Sequence, residues 1–306
     1  MTNTKTDLSK FNKEKNRVRL GMNILKKIRR KYRKDITVCV SPYPSIGDSY
    51  LAGLYLNACY GSEEFVVTAI GSGVAEVYHY LDISNVYKLT QDETDCLIQY
   101  CRFMGTYDDK VKILHYQPSE LYTGIAQHFH GVNGLNYADI FESIVFPEMS
   151  RDDRVYPVIS EGNEQNYERV LRKGKSVVIF PYADTLDIPD PDYWINLVKQ
   201  LKKKGYLIAT YVQGDEKAIE GTIGVTCKLS GLVSLVEYAG YFISVRNGLS
   251  DIMSRAKCRK MVLYPTTDTE AGVHGRLMDF WSLRGFGYAE DIEEYEWKQP
   301  AKKSTV

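Results

Sequence analysis

The sequence lacks a long hydrophobic run, although 44% of its 306 residues are hydrophobic. No apolar stretch approaches the roughly 20 residues that a transmembrane helix needs, and the N-terminus is polar. We therefore expect neither a signal peptide nor a membrane span. The expected location is the cytoplasm, at the inner face of the membrane if the basic segment described below touches lipid.

Paired cysteines are also missing. The six cysteines are scattered and form no CxxC pair, which is typical of reduced thiols and argues against a zinc site. His128 and His130 stand two residues apart without a third ligand, so a surface loop or a substrate-binding loop is favoured there over a metal site. We expect no metal and no cofactor.

The sequence has no net charge, yet its charges are unevenly distributed. Residues 10–35 contain 12 Lys and Arg against 2 acids, so this segment is +10 and the remainder is −10. Val18, Met22, Leu25 and Tyr32 recur there at helical spacing on one face. Two interpretations stay open: peripheral contact with an anionic membrane, or a solvated helix packed on the first domain by this stripe. Nucleic acid is not an expected partner.

Apolar segments of strand length, such as "ITVCVSPY" and "SVVIFPY", alternate with helical segments through most of the chain. This alternation is typical of parallel sheets covered by helices on both faces. A polar stretch interrupts it, and we place a domain boundary near Tyr156. The sequence thus predicts an α/β protein with two doubly wound domains, residues 1–155 and 156–306. The helix "YADIFESIVF" closes the first half, "RLMDFWSLRGF" closes the second, and residues 270–306 pack back towards the first domain.

The loops of unusual composition all follow predicted strands. In "SVRNGLSD" a strand turns into a helix, where a glycine allows close approach and the first helical amides can bond an anion. The guanidinium of Arg246 would bind a phosphate there, or would form a structural salt bridge to Asp251. Asp251 in turn would pair with Arg246, face a hydroxyl of the ligand, or serve as an ordinary first-turn helix residue.

Taken together, these loops resemble those of bacterial GT-B glycosyltransferases. The likeness is to the heptosyltransferase-like enzymes and to transferases of capsule and exopolysaccharide clusters. It is carried by "IGDSYLA" in the first half and by "PYADTLDI", "EGT", "FISVRNGLSD" and "LYP" in the second. The resemblance implies two Rossmann-like domains that face a central cleft. It also implies metal-independent, inverting transfer of a sugar from a nucleotide-sugar donor to a hydroxyl of a growing, lipid-linked glycan.

The resemblance also implies roles for individual residues. Asp48 matches the general base of the inverting members, although the same aspartate is a suitable helix cap. Glu216 matches a contact of the donor's ribose, and the turn at Arg246 matches the seat of the donor diphosphate. In that role Arg246 would counter the charge of the departing nucleoside diphosphate, and Asp251 would face a sugar hydroxyl. The implied donor-binding residues are Gly47, Ala183, Asp184, Thr185, Glu216, Arg246, Asn247, Gly248, Leu249 and Asp251.

The chain departs from the heptosyltransferase pattern at two places. Those enzymes have Asp-Thr/Ser-Gly at this turn and a histidine where this chain has Asp251, and they place a lysine in the loop that matches "ADTLDIPD". The donor pocket therefore differs from that of an ADP-heptose enzyme. Two alternatives to an active transferase stay open. One is a catalytically silent, GT-B-like nucleotide-binding protein with a regulatory or scaffolding role. The other is a Rossmann oxidoreductase, suggested only by Gly71-x-Gly73, which is better explained as a tight strand-to-helix turn.

Overall fold

The computed structural model describes residues 4–61, 64–104, 109–115, 135–158, 167, 169–184, 186–266 and 276–298. The chain separates into two compact units. Met1–Glu120 and Ser143–Pro157 form the first unit, and Leu121–Glu142 and Val158–Val306 form the second. Each unit contains one parallel β-sheet.

The first unit is built on a four-stranded parallel sheet in the order β3-β2-β1-β4. Its elements are α1 (Thr4–Lys31), β1 (Thr37–Val40), α2 (Ile46–Tyr60), β2 (Phe65–Ile70), α3 (Gly71–Tyr80), β3 (Val86–Leu89), α4 (Gln91–Met104) and β4 (Val111–Ile113). β1 and β2 are almost wholly buried, as expected for strands covered on both faces. Gly71 begins α3 at φ +79°, a conformation that favours glycine, which agrees with the tight turn predicted there.

The basic segment forms helix α1, whose apolar stripe packs against α4. Ile24, Leu25 and Ile28 are buried along this seam. Gly21 comes so close to α4 that an added Cβ would stand 2.0 Å from the carbonyl oxygen of Cys96. The interpretation as a helix packed on the first domain is therefore confirmed. Of the helices in the described residues, none is long and apolar enough to cross a membrane.

Helix α5 (Tyr137–Val145) spans the division between the two units. At its start, the Tyr137 ring lies 5.8 Å from the ring of Phe280, which belongs to the second unit. Just after its end, the Phe146 ring stacks on Tyr55 of the first unit at 4.9 Å. The sequence predicts this whole helix in the first half, whereas its Tyr137 ring packs within the second unit.

The second unit is built on a six-stranded parallel sheet in the order β10-β9-β8-β5-β6-β7. Its elements are β5 (Ser176–Phe180), α6 (Pro191–Lys203), β6 (Leu207–Tyr211), β7 (Ile223–Val225), α7 (Leu232–Ala239), β8 (Tyr241–Val245), α8 (Gly248–Met253), β9 (Arg259–Pro265), α9 (Leu277–Trp281) and β10 (Ile292–Trp297). Every residue of β5 and β8 is buried, so both faces of the sheet are covered. The prediction of doubly wound, parallel α/β architecture is confirmed.

Strand β10 is not anticipated by the sequence analysis. It runs parallel to β9, with Ile292 opposite Lys260 and Trp297 opposite Pro265. The sequence predicts that residues 270–306 pack back towards the first domain, whereas β10 is the edge strand of the second sheet. The physical reason is that both ends of the strand are apolar side chains that become buried on that sheet.

Candidate functional site

The strand order of the second sheet identifies its ligand-binding edge. The chain moves from β5 outward to β6 and β7, then returns to the other side of β5 to form β8, β9 and β10. In such sheets, ligands bind at the carboxyl ends of the strands where the order reverses, here between β5 and β8. The loop that follows β5 begins at Pro181, and the turn that follows β8 begins at Arg246.

Asn247 joins these two segments directly. Its Nδ2 donates to the carbonyl oxygen of Tyr182 at 2.8 Å. Its Oδ1 accepts the Ser250 amide at 2.9 Å, and the Asn247 amide donates to the Ser250 hydroxyl at 3.2 Å. Asn247 is therefore the N-cap of α8 in a capping box, which fixes the turn after β8 to the loop after β5.

The first amides of α8 include two donors that could bind a ligand. Because the first four N–H groups of a helix lack partners within the helix, each needs a cap, water or a ligand. Asn247 supplies the acceptor for Ser250. Within the part of the chain that the structure describes, the amides of Gly248 and Leu249 have no hydrogen-bond acceptor. Two neighbouring donors thus lie at the point where the strand order reverses.

Arg246 is buried and its guanidinium is committed to protein groups. It is 8% exposed, and its partner Asp251 is 1% exposed. Nη1 and Nη2 donate to the two carboxylate oxygens of Asp251 at 2.7 and 2.8 Å. Nε donates to the carbonyl oxygen of Trp281 at 3.0 Å, and Nη1 also reaches that of Asn247 at 2.8 Å. This is the bidentate geometry that Arg and a carboxylate prefer.

Electrostatics keep this arginine charged. Burial disfavours the guanidinium cation, but the carboxylate of Asp251 outweighs that effect and raises the pKa of Arg246 above its ordinary value. The salt bridge left open by the sequence is therefore formed. Contact between Arg246 and a donor stays a prediction, and the geometry favours an arginine that positions the turn.

A second set of polar contacts holds the backbone segment that accepts a hydrogen bond from Arg246. The Glu294 carboxylate on β10 accepts the amide of Leu283 at 2.8 Å and the hydroxyl of Ser282 at 2.6 Å. It also accepts the hydroxyl of Tyr264, whose pKa burial raises well above its ordinary value. These bonds fix the backbone just after Trp281, whose carbonyl oxygen accepts Arg246. Sequence reasoning missed Glu294, and the signal available was the strand-forming residues Ile292, Tyr295 and Trp297 among the glutamates of "IEEYEW".

Three other predicted donor contacts, Ala183, Asp184 and Glu216, follow the neighbouring strands β5 and β6. Ala183 is half-buried and Asp184 exposed after β5, whereas Thr185 lies outside the described residues. Glu216 follows β6, is exposed, and accepts the Gln213 amide at 2.8 Å. Its carboxylate therefore closes a local turn beside β5.

The acidic run after β5 contains an ordinary helix cap. Asp190 accepts the Tyr193 amide at 2.8 Å, and Pro191 occupies the first position of α6. Capping is the role that the sequence favours for these acids. Among the described residues, no group of three or more His, Cys, Asp or Glu side chains could hold a metal ion. His128 and His130 lie outside the described residues.

Asp48 and Gly47 belong to the first unit. They lie in the first turn of α2, directly after the connection from β1. Ser45 is the N-cap, and its hydroxyl donates to Oδ2 of Asp48. Among the described residues, this is the one hydrogen bond that the half-buried Asp48 side chain makes. A first-turn helix residue and a base with a free oxygen both remain consistent with this geometry.

The fold is shared with solved glycosyltransferases. A glycosyl transferase family 9 protein from Veillonella parvula superposes with a TM-score of 0.50 at 12% identity. The superposition covers 86% of this chain and 85% of that one. The ADP-heptose LPS heptosyltransferase II of E. coli superposes with a TM-score of 0.54 at 12% identity, covering 85% of this chain and 90% of that one. The chain has the GT-B fold.

Sequence similarity adds nothing to this likeness in fold. Models of known protein families do not match the chain, and neither do the sequences of curated proteins. The GT-B fold predicted from the loops is thus confirmed by the structure, whereas the roles of individual residues stay predictions. The second unit of this GT-B protein brings the turn at Asn247 and the loop at Tyr182 together. Both lie at the sheet edge where the sequence predicts donor binding.

Proposed function

We propose that this chain is a glycosyltransferase that moves a sugar from a nucleotide-sugar donor to a hydroxyl of a glycan acceptor. The observation that carries the proposal is the junction between Asn247 and Tyr182 in a chain of GT-B fold. It fixes the amides of Gly248 and Leu249, which have no acceptor within the described residues, at the point where the strand order of the second sheet reverses. Such a point is where open α/β sheets bind ligands.

The donor diphosphate binds at the turn after β8 in this proposal. The amides of Gly248 and Leu249 donate to phosphate oxygens, and the absence of a side chain at Gly248 lets the phosphate approach the backbone. The loop with Ala183, Asp184 and Thr185 contacts the rest of the donor. Glu216 contacts the ribose, for which its exposed carboxylate after β6 is suitably placed on a neighbouring strand.

In this proposal Arg246 mainly positions the amides of the turn after β8. When the bond between the anomeric carbon and the diphosphate breaks, negative charge grows on the departing diphosphate, and fixed donors stabilise it. Arg246 and Asp251 hold those donors in place through a buried, bidentate ion pair. The net positive field of the guanidinium is largely cancelled by Asp251, so the amides act on the leaving group directly.

Asp48 is the general base in this proposal. Its carboxylate takes the proton of the acceptor hydroxyl while the hydroxyl oxygen attacks the anomeric carbon from the face opposite the diphosphate. The glycosidic bond forms as the bond to the diphosphate oxygen breaks, so the configuration inverts and no metal takes part. The acceptor is a growing, lipid-linked glycan. Support comes from the half-buried position of Asp48 and its single bond to Ser45.

Nucleotide binding is the first test. A thermal-shift panel of UDP, GDP, ADP and CMP conjugates is expected to contain at least one stabilising ligand. A ligand at 100 times its Kd adds roughly 2.7 kcal/mol to the free energy of unfolding. Donor hydrolysis without an acceptor then separates a transferase from a silent nucleotide-binding protein. Stabilisation by NAD(H) alone would point to an oxidoreductase and contradict the proposal.

The role of Arg246 has its own test, in which Arg246→Ala and Arg246→Lys are compared. Arg246→Ala is expected to weaken nucleoside diphosphate binding by about 1.5–3 kcal/mol, the size of one lost charge-assisted contact. If the arginine positions the turn, lysine fails to restore binding, because it cannot form two parallel bonds to Asp251. If the arginine contacts the phosphate as a charge, lysine restores most of the affinity. Calorimetry on folded variants distinguishes these outcomes.

A further inference from the structure

The outward face of α1 is a cationic surface without a protein partner in the described residues. Helix α1 contains 11 basic residues and 2 acids, and the remainder of the chain is negative by the same excess. One acid, Glu14, faces α4, where its carboxylate accepts Gln99 at 2.6 Å. The strongly basic character of the helix is therefore not neutralised along its outer side.

Four basic residues form a single line on this face. Lys15, Arg19, Lys26 and Arg30 are all exposed, and their spacing of 4, 7 and 4 residues places them on one side of a helix. The buried seam, centred on Ile28 and its neighbours, lies on the opposite side. We call these four residues the cationic stripe. At 1.5 Å per residue, the stripe is about 22 Å long.

Apolar side chains flank the stripe. Phe11 is 65% exposed and Leu20 is 54% exposed, whereas Ile24, Leu25 and Ile28 of the same helix are buried against α4. A surface that combines basic side chains with a few exposed apolar ones matches the boundary between anionic headgroups and acyl chains. The phosphates of a nucleic acid would match the charges but offer no apolar layer for Leu20 and Phe11.

A groove beside the stripe is a weaker candidate. It has a volume of about 410 Å³ and is lined by Lys26, Lys27 and Arg30 on α1 and by Asp92 and Glu93 on α4. The two carboxylates oppose the binding of a phosphate inside it. Lys26 and Arg30 of the stripe line this groove, whereas Lys15 and Arg19 lie outside it. A flat anionic surface along the whole stripe therefore suits it better than a single anion in the groove.

We propose that the cationic stripe docks the protein on a bilayer that contains anionic phospholipids. Anionic lipid attracts the basic stripe and repels the negatively charged remainder of the chain, so the protein binds with α1 towards the membrane. The apolar contact with α4 stays intact, and Phe11 and Leu20 add shallow apolar contacts. This inference rests on α1 alone and does not depend on the proposed transferase activity.

Co-sedimentation with vesicles tests the inference on the full chain. Wild-type protein is expected to sediment with phosphatidylcholine vesicles that contain phosphatidylglycerol and not with pure phosphatidylcholine. Binding weakens from low salt to about 0.15 M, where charges are screened over roughly 8 Å. The variant with Lys15, Arg19, Lys26 and Arg30 all changed to Gln loses partitioning by roughly two orders of magnitude or more, since each basic residue near an anionic surface contributes about fivefold.

A matched control removes four charges elsewhere. Lys199, Lys202, Lys203 and Lys204 are exposed at the end of α6 and its cap, and their change to Gln gives the same net charge as the stripe variant. This control is expected to sediment as wild type does. Equal loss in both variants, or undiminished binding of a stripe variant with wild-type thermal unfolding, overturns the proposal. So does wild-type binding to duplex DNA that is tighter than binding to the anionic vesicles and is lost with the stripe.

Discussion

Two strand-to-helix connections in this molecule differ in how firmly their polar groups are held. After β8, Arg246, Asn247 and Asp251 bond to one another, to Tyr182 and to the backbone at Trp281. After β1, the half-buried Asp48 makes one hydrogen bond, to the cap of its own helix. The polar side chains of the first connection are held by contacts distant in sequence. In the second connection the Ser41 amide donates to the hydroxyl of Thr68, but the Asp48 side chain itself is held by a local bond.

The difference suits two kinds of chemistry. A site that stabilises developing charge gains from donors that need no rearrangement when the reaction occurs. A base that must meet an incoming hydroxyl needs an oxygen that is not already saturated with hydrogen bonds. Substitutions at the two connections should therefore affect different measurements: stability and donor affinity for the turn after β8, and turnover for the segment after β1.

The largest effect is expected from the buried ion pair. Asp251→Ala leaves the charge of Arg246 buried without its partner and should lower the free energy of unfolding by about 3–5 kcal/mol. Urea unfolding of the second unit measures this loss. Asp187→Ala, at an exposed position in the same unit, is the control and should change stability by less than about 0.5 kcal/mol.

The same pair can be removed as a whole. In the double variant Arg246→Met with Asp251→Leu, neither charge is left alone, and unfolding should cost more free energy than in Asp251→Ala. Nucleoside diphosphate binding should remain weak in the double variant, because the bond from Arg246 to the Trp281 carbonyl is lost. A double variant less stable than Asp251→Ala would show that charge isolation is not the cause.

The next largest effect is on turnover. Asp48→Asn should reduce transfer by about 10²–10⁴-fold, since general base catalysis is typically of that size. Nucleotide affinity by calorimetry should stay at the wild-type value, because the base acts on the acceptor. Asp92→Asn, which lies in the first turn of α4 in the same unit, is the matched control and should leave turnover unchanged. Full activity of Asp48→Asn would remove this residue from the mechanism.

A smaller effect separates capping from loop attachment at Asn247. Asn247→Ala removes the N-cap of α8 and should cost about 0.5–2 kcal/mol of stability. Asn247→Ser keeps a capping oxygen, but its side chain is one atom shorter than that of asparagine and does not reach the carbonyl of Tyr182, so it should recover stability without recovering donor affinity. Denaturant unfolding and calorimetry are compared for the two variants. Recovery of affinity with serine would mean that the junction to Tyr182 is not needed.

The smallest effect is expected at Ser45. Ser45→Ala removes the one hydrogen bond to Asp48 and should change the free energy of unfolding by about 0.5–1.5 kcal/mol. Turnover should change far less than in Asp48→Asn, because the carboxylate remains. Initial rates over a pH series measure both the activity and the pH midpoint of its loss. A loss as large as that of Asp48→Asn would make the pair, and not the carboxylate alone, the functional group.

Much of the fold follows from the order of apolar segments. Strands β1, β2, β5 and β8 are short apolar runs that become wholly or almost wholly buried, and the alternation with helices requires them to be parallel. The cap at Asp190 and the tight turn at Gly71 are also local, so their residues predict them. β10 was missed because only its ends are buried, which gives it no continuous apolar signal.

The candidate site was predictable in outline and not in detail. A glycine after a strand and before a helix indicates an anion-binding turn from residues that are adjacent in sequence. The bond from Asn247 to Tyr182 joins residues 65 positions apart, and that from Arg246 to Trp281 joins residues 35 apart. Such pairings depend on how the sheet is assembled. The sequence could therefore offer a salt bridge or a ligand contact for Arg246 without deciding between them.

The contact between Arg246 and Trp281 can form only late in the synthesis of the chain. Arg246 and its partner Asp251 leave the ribosome before the carbonyl of Trp281 and before β10, which supports that carbonyl through Glu294. A nascent second unit that has formed β5 to β9 therefore contains the turn but lacks the contacts made through Trp281 and Glu294. Since domains generally fold as units during translation, this one gains its final rigidity only when residues 281–297 emerge. Premature termination within that segment would release a chain with all the predicted donor contacts and a loosened Arg246.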